Sequence, residues 1–91
     1  MTKEKFISHH QSKGWKLNDE GSELSKVTSP FGAELYWWLG DEEVDLHQLD
    51  ADADGFEFFR PIVTAKLDDC FVRDGKINLG SSAVDHGSVL I

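Results

Sequence analysis

Carboxylates and aromatic rings, the two side-chain types that together hold cations, are concentrated in the middle of this chain. Eight carboxylates stand between residues 41 and 57 (Asp41, Glu42, Glu43, Asp45, Asp50, Asp52, Asp54, Glu57), with no Lys or Arg among them. Tyr36-Trp37-Trp38 precedes them, and Phe56-Glu57-Phe58-Phe59 runs out of them. A cation over a Trp or Tyr face with a carboxylate behind it is held by about 0.5–2 kcal/mol per ring. The candidate ligand-binding set is therefore Glu34, Tyr36, Trp38, Phe56 and Phe58. The candidate acidic partner face is Asp41, Glu42, Glu43, Asp45, Asp50, Asp52 and Asp54. Such a surface suits a basic protein or a cationic small molecule. The same rings, paired about a twofold axis, would make a homodimer interface, and that use is expected first.

Other spacings carry less chemistry. Asp50-Ala-Asp52-Ala-Asp54-Gly55 resembles the opening of an EF-hand calcium loop, with oxygens at positions 1, 3 and 5 and Gly at 6. The twelfth position, where the cage needs a bidentate acid, is Pro61, and no helical pattern leads in, so an acidic hairpin loop is expected. His9, His10, His47 and His86 show no zinc spacing, and His47 with nearby carboxylates does not define a site. Asp68 and Asp69 beside Cys70 would raise its thiol pKa, which suits a core cysteine and not a nucleophile. Ser81-Ser82 and Asp85-His86 are fragments of a triad without its geometry. No phosphate-binding glycine loop and no aromatic-basic RNA strand occurs. No catalytic residue, metal or cofactor is expected.

These residues must be positioned by few elements. Phe6, Ile7 and His10 give one helical stripe, with Thr2 as N-cap and Gly14 at the end. Period two then takes over. Short strands are predicted at Trp15–Leu17 and Leu24–Val27, separated by the Asn18-Asp19-Glu20-Gly21 turn. After a turn at Ser29-Pro30-Phe31-Gly32, the strongest strand runs from Ala33 to Leu39. It puts Ala33, Leu35, Trp37 and Leu39 on a core face and Glu34, Tyr36 and Trp38 on the other. Residues 41–49 fit a short helix or a strand, and strand is favoured because residues 50–55 then close a hairpin onto Phe56–Arg60. Pro61 marks an edge, bulge or bend before a strand at Ile62–Leu67. Asp74-Gly75 between Phe71–Arg73 and Lys76–Leu79 is a type I′ hairpin pairing Arg73 with Lys76 and Val72 with Ile77. Gly80–Gly87 reads as a loop and Ser88–Ile91 as a final strand.

The fold class that follows is α+β: an N-terminal helix on an antiparallel meander of about five to seven strands, strongly curved if the surplus rings are to be buried within the chain. Residues 1–91 form a single domain. Ten aromatics cannot all fit under one helix of about a dozen residues, so sheet curvature, a second copy or a ligand must bury the surplus.

A net charge of -8 argues against nucleic acid and anionic membranes as partners. A single cysteine, the lack of an apolar leader and the lack of a transmembrane-length run point to a cytoplasmic protein. In size, acidity and absence of motif from Met1 to Ile91, the chain resembles the small acidic proteins carried by mobile bacterial gene cassettes of the integron type. That resemblance rests on no specific residue and transfers no site. Phage-borne inhibitors and immunity proteins, acidic mimics of nucleic acid included, share the style. Three readings follow: a dimeric binding or adaptor domain, an acidic inhibitor that blocks a basic surface, and a small enzyme with a pocket between helix and sheet.

Overall fold

The computed structural model describes residues 1–28 and 32–86. The expected turn at Ser29–Gly32 and the expected strand at Ser88–Ile91 lie wholly or mostly outside them.

Helix α1 spans Lys3–Ser12, and the Thr2 hydroxyl accepts from the Lys5 N–H as its N-cap. Its end is a Schellman motif. Gly14, at φ 93°, lets its own N–H reach the Gln11 carbonyl and the Trp15 N–H reach the His10 carbonyl. The Trp15 ring then meets His10 edge-on at 5.3 Å, which turns the chain into the sheet.

Strands β1 (Lys16–Leu17), β2 (Glu23–Thr28), β3 (Ala33–Leu39), β4 (Glu43–Ala51) and β5 (Glu57–Lys66) follow as an antiparallel meander. A 3₁₀ turn at Leu67–Asp69 leads to the hairpin β6 (Phe71–Arg73) and β7 (Lys76–Asn78). Asp74 and Gly75 both take positive φ, 54° and 74°, and the register pairs Arg73 with Lys76 and Val72 with Ile77, as type I′ geometry requires. Finally β8 (Val84–Asp85) returns to the outer edge of β5. The result is one helix on an open six-stranded sheet, with a separate two-stranded hairpin. The stretch expected as a loop from Gly80 to Gly87 thus contains a short strand, which the main-chain bond from the His86 N–H to the Ile62 carbonyl helps to hold. Residues 43–51 are strand, and β5 continues through Pro61 to Lys66.

Pro61 is carried inside β5 by a bulge. Leu46 pairs with Val63 and His47 with Pro61, so Ile62 is left over. Only residues 63 and 64 of β5 pair with β8, which leaves Pro61 on an edge where no ladder N–H is demanded.

Alternation sorts the sheet into two faces. Toward the helix point Leu24, Trp37, Leu39, Val44 and Ala65, all buried with Phe6, Leu67 and Cys70. Phe6 is fully buried and meets Trp37 edge-on at 5.1 Å, while His10 packs on both rings. The His10 Nδ1–H donates to the Phe6 carbonyl at 2.8 Å. Burial, with His9 acting in the same direction and that carbonyl opposing, holds the His10 imidazole below its ordinary value. Burial likewise pushes the Cys70 thiol up. The space between helix and sheet is filled by these side chains.

Candidate functional site

The face away from the helix carries Glu23, Ser25 and Val27 from β2, Glu34, Tyr36 and Trp38 from β3, Asp45, His47 and Leu49 from β4, and Phe59 and Thr64 from β5. Its centre is an aromatic group that the register assembles. Trp38 pairs with Asp45, and the next open-face residue of β4, His47, stacks on the indole with ring centroids 3.7 Å apart. Phe59 meets Trp38 at 5.4 Å and Tyr36 at 5.3 Å, both close to edge-on. The Tyr36 hydroxyl donates to Glu34 Oε2 at 2.8 Å. That bond to a carboxylate, reinforced by desolvation, pushes the phenol pKa up to about 12.

A row of polar groups crosses the same face. Thr64 Oγ1 lies 2.6 Å from Asp45 Oδ1 and 2.8 Å from His86 Nε2. A carboxylate can only accept, so the single hydroxyl proton of Thr64 goes to Asp45, and Thr64 accepts from the His86 Nε2–H. Asp45 is thereby held from behind by a two-residue chain. His47 Nδ1 is buried and has no hydrogen-bond partner among the described residues.

Among the described residues three recesses border β3; the one at its Ala33 end is lined by the carboxylates Glu34, Asp50 and Glu57 but by no ring, and the other two flank Tyr36 and Trp38. One, of about 460 Å³, is lined by Gly14, Lys16, Ser25, Lys26, Val27, Glu34 and Tyr36. Two lysines offset its one carboxylate. The other, of about 660 Å³, lies at the β3–β4 turn and is lined by Asn18, Glu20, Ser22, Glu23, Trp38, Leu39, Gly40, Glu43 and Asp45. Every ionisable group in this lining is a carboxylate. The Trp38 indole, 39% exposed, forms its aromatic wall. Of the two, only the Trp38 recess has the electrostatics for a cation.

The residues singled out from sequence are distributed unequally. Glu34, Tyr36 and Trp38 share the open face. Phe59 joins them, whereas Phe58, one residue away, pairs with Asp50 and points to the helix side beyond the helix. Phe56 precedes β5 and is 72% exposed. The acidic residues fall into separate groups. Asp41, Glu42 and Glu43 sit at the start of β4, and Asp52 and Asp54 follow its end, roughly 25 Å away for a strand of this length. Several are engaged within the chain. Asp50 pairs with Arg60 at 3.0 Å, and Asp41 lies 3.9 Å from Lys3. Asp52 Oδ1 accepts from the N–H groups of Asp54 and Phe56, which makes the loop an Asx turn. Among the described residues no group of three His, Cys, Asp or Glu side chains converges as a metal site. Ser82 donates to Asp69 and His86 bonds Thr64, so the triad fragments go to separate partners.

Sequence reasoning did not bring Glu20, Glu23, Phe59, Thr64 or His86 to the site. The signal for Phe59 and Thr64 was the bulge beside Pro61, since face parity on β5 cannot be counted through it. Glu23 would follow from pairing β2 with β3, which sets it opposite Trp38, whereas Glu20 lies in the turn before β2 and outside the ladder.

No protein-family model matches the chain significantly, and no curated protein or solved structure does. No helix among the described residues is long and apolar enough to cross a membrane.

Proposed function

We propose that this protein is a small binding or adaptor domain that takes a cationic group, from a basic protein or a small molecule, on the open face of its sheet, and that it acts as a homodimer. One observation carries the reading: the half-exposed Trp38 indole walls a recess whose ionisable lining, Glu20, Glu23, Glu43 and Asp45, is entirely acidic. In a site this open a carboxylate about 4 Å from a cation contributes on the order of 1 kcal/mol. The indole adds about 0.5–2 kcal/mol. Binding through this recess is therefore modest and sensitive to salt, since exposed charges are screened over about 8 Å at physiological ionic strength. The dimer reading draws on the exposure of Phe56, Phe58 and Phe59, of which Phe59 borders Trp38 on the open face and Phe58 stands on the other face.

The test is a titration of a fluorescent decalysine peptide at low salt, followed by anisotropy. The expected result is saturable binding that weakens at least tenfold in Glu23→Gln/Glu43→Gln. Equal binding by that variant sinks the cation site. Light scattering at low salt and at about 0.5 M salt, where the Debye length is only a few Å, should give twice the chain mass in both. A monomer at both removes the dimer from the proposal and leaves the cation site standing.

A further inference from the structure

Resting on the binding reading above, we infer that the occupant of the Trp38 recess is an arginine side chain of a basic protein partner, with Asp45 as the carboxylate that receives its guanidinium and Thr64 as the residue that positions Asp45.

Charge complementarity sets the sign of the ligand, because four carboxylates and no cationic side chain line the recess. The number of rings then narrows the chemistry. A quaternary ammonium has no N–H to donate and is held by several aromatic faces at once. Here Trp38 is the one ring in the lining, and His47 already stacks on it. A cation in this recess must gain from carboxylates as well as from the indole, so it must carry N–H donors. Between the two side chains that do, guanidinium fits better. It is planar, weakly hydrated and able to stack on an indole while donating in parallel to a carboxylate. A lysine ammonium is a compact, strongly hydrated point charge, and an open recess gives it little in return for its water.

Asp45 is the acceptor best prepared for that geometry. It lies directly across the strand pair from Trp38, between the indole and Thr64. Its Oδ1 is fixed by Thr64, which is itself fixed by His86. Its Oδ2 has no hydrogen-bond partner among the described residues. A carboxylate already held in one orientation loses little freedom on binding, which is how preorganisation raises affinity. The source is a protein because a lone side chain in so open a recess buries little. The Tyr36–Phe59 pair, continuous with Trp38 on the same face, offers the further contact surface that a segment carrying the arginine would cover.

The test compares three otherwise identical peptides carrying two arginines, two lysines or two trimethyllysines, at one low salt concentration. Tryptophan fluorescence and the Trp38 indole N–H resonance are the readouts. The arginine peptide is expected to bind about tenfold more tightly than the other two and to shift the Trp38 resonance. Asp45→Asn should remove most of that preference. Thr64→Val keeps the carboxylate but frees it, and should shrink the arginine-to-lysine ratio more than it weakens lysine binding. A purely structural role for Thr64 would weaken both peptides alike and would overturn its positioning role. Circular dichroism of each variant verifies folding, and Thr64→Ser, which keeps the hydroxyl, should restore the ratio. Equal binding of all three peptides overturns the arginine assignment and leaves the cation site in place. No binding by any of them overturns both.

Discussion

On the helix side of the sheet Trp37 is 4% exposed, enclosed by Phe6 and His10; on the other side its neighbour in sequence, Trp38, is 39% exposed with His47 stacked on it. Both faces are rich in rings, and both place a histidine against an indole. What separates them is the layer above. The helix turns apolar area on one face into a core, while the other keeps its rings beside carboxylates and open to solvent. The difference teaches that large side chains on a small sheet have two fates, and the charge around them tells the two apart. Around Trp37 the neighbours are Leu24, Leu39 and Val44; beside Trp38 they are Glu23, Glu43 and Asp45.

The sharpest way to break this comparison is to truncate one ring on each face. Phe6→Ala should cost about 3–5 kcal/mol in urea denaturation, since it empties a fully buried site between helix and sheet. Phe59→Ala, at 42% exposure, should cost about 1 kcal/mol or less. Equal costs would mean that the open face is a second core.

The next effect is the pH dependence that His10 gives the helix side. The folded pKa of His10 lies below the ordinary 6.5, because burial disfavours its charged form. The unfolded chain therefore binds the proton first as pH falls. The contribution of His10 to stability is full above pH 6.5 and is lost as pH drops through its folded pKa. Urea midpoints measured from neutral pH downward should show that loss, and His10→Gln should flatten it. A slope that survives the substitution would assign it to other groups.

The smallest effect sits on the open face. The Tyr36 phenol should ionise at about 12 in a spectrophotometric titration, and Glu34→Gln should return it toward the ordinary 10. A raised pKa is a stabilising contribution present below pH 10 and lost as pH rises through 12. An unshifted Tyr36 in the wild type would break the Tyr36–Glu34 contact.

The elements whose signals are local were legible in the chain. Thr2 and Gly14 delimit α1, Asp74-Gly75 fixes its hairpin, and the alternation from Ala33 to Leu39 separates Trp37 from Trp38. The site was legible only in part, because its composition depends on which strands pair and in what register. Glu34, Tyr36 and Trp38 share a strand and so could be grouped. Phe59 could not be told from Phe58, nor Thr64 placed beside Asp45, without the bulge. The run of acids from Asp41 to Asp54 looked continuous because sequence distance hides strand length; β4 carries its two ends apart and spends Asp50 and Asp52 on Arg60 and on backbone N–H groups.

The unpaired Ile62 also bears on how such a surface can change. A substitution alters one side chain, but a slip that absorbed Ile62 into the ladder opposite His47 would shift the parity of residues 57–61 as a block. Phe58 and Arg60 would then stand on the open face, with Phe59 turned away, and a cation would replace a ring beside the Trp38 group. Deleting Ile62 would instead straighten the strand and leave Phe59 where it is, because Val63 and Pro61 would keep their partners Leu46 and His47. The charge preference of this face is therefore set by one residue that lies outside the ladder, and the bond from the His86 N–H to its carbonyl pins it there.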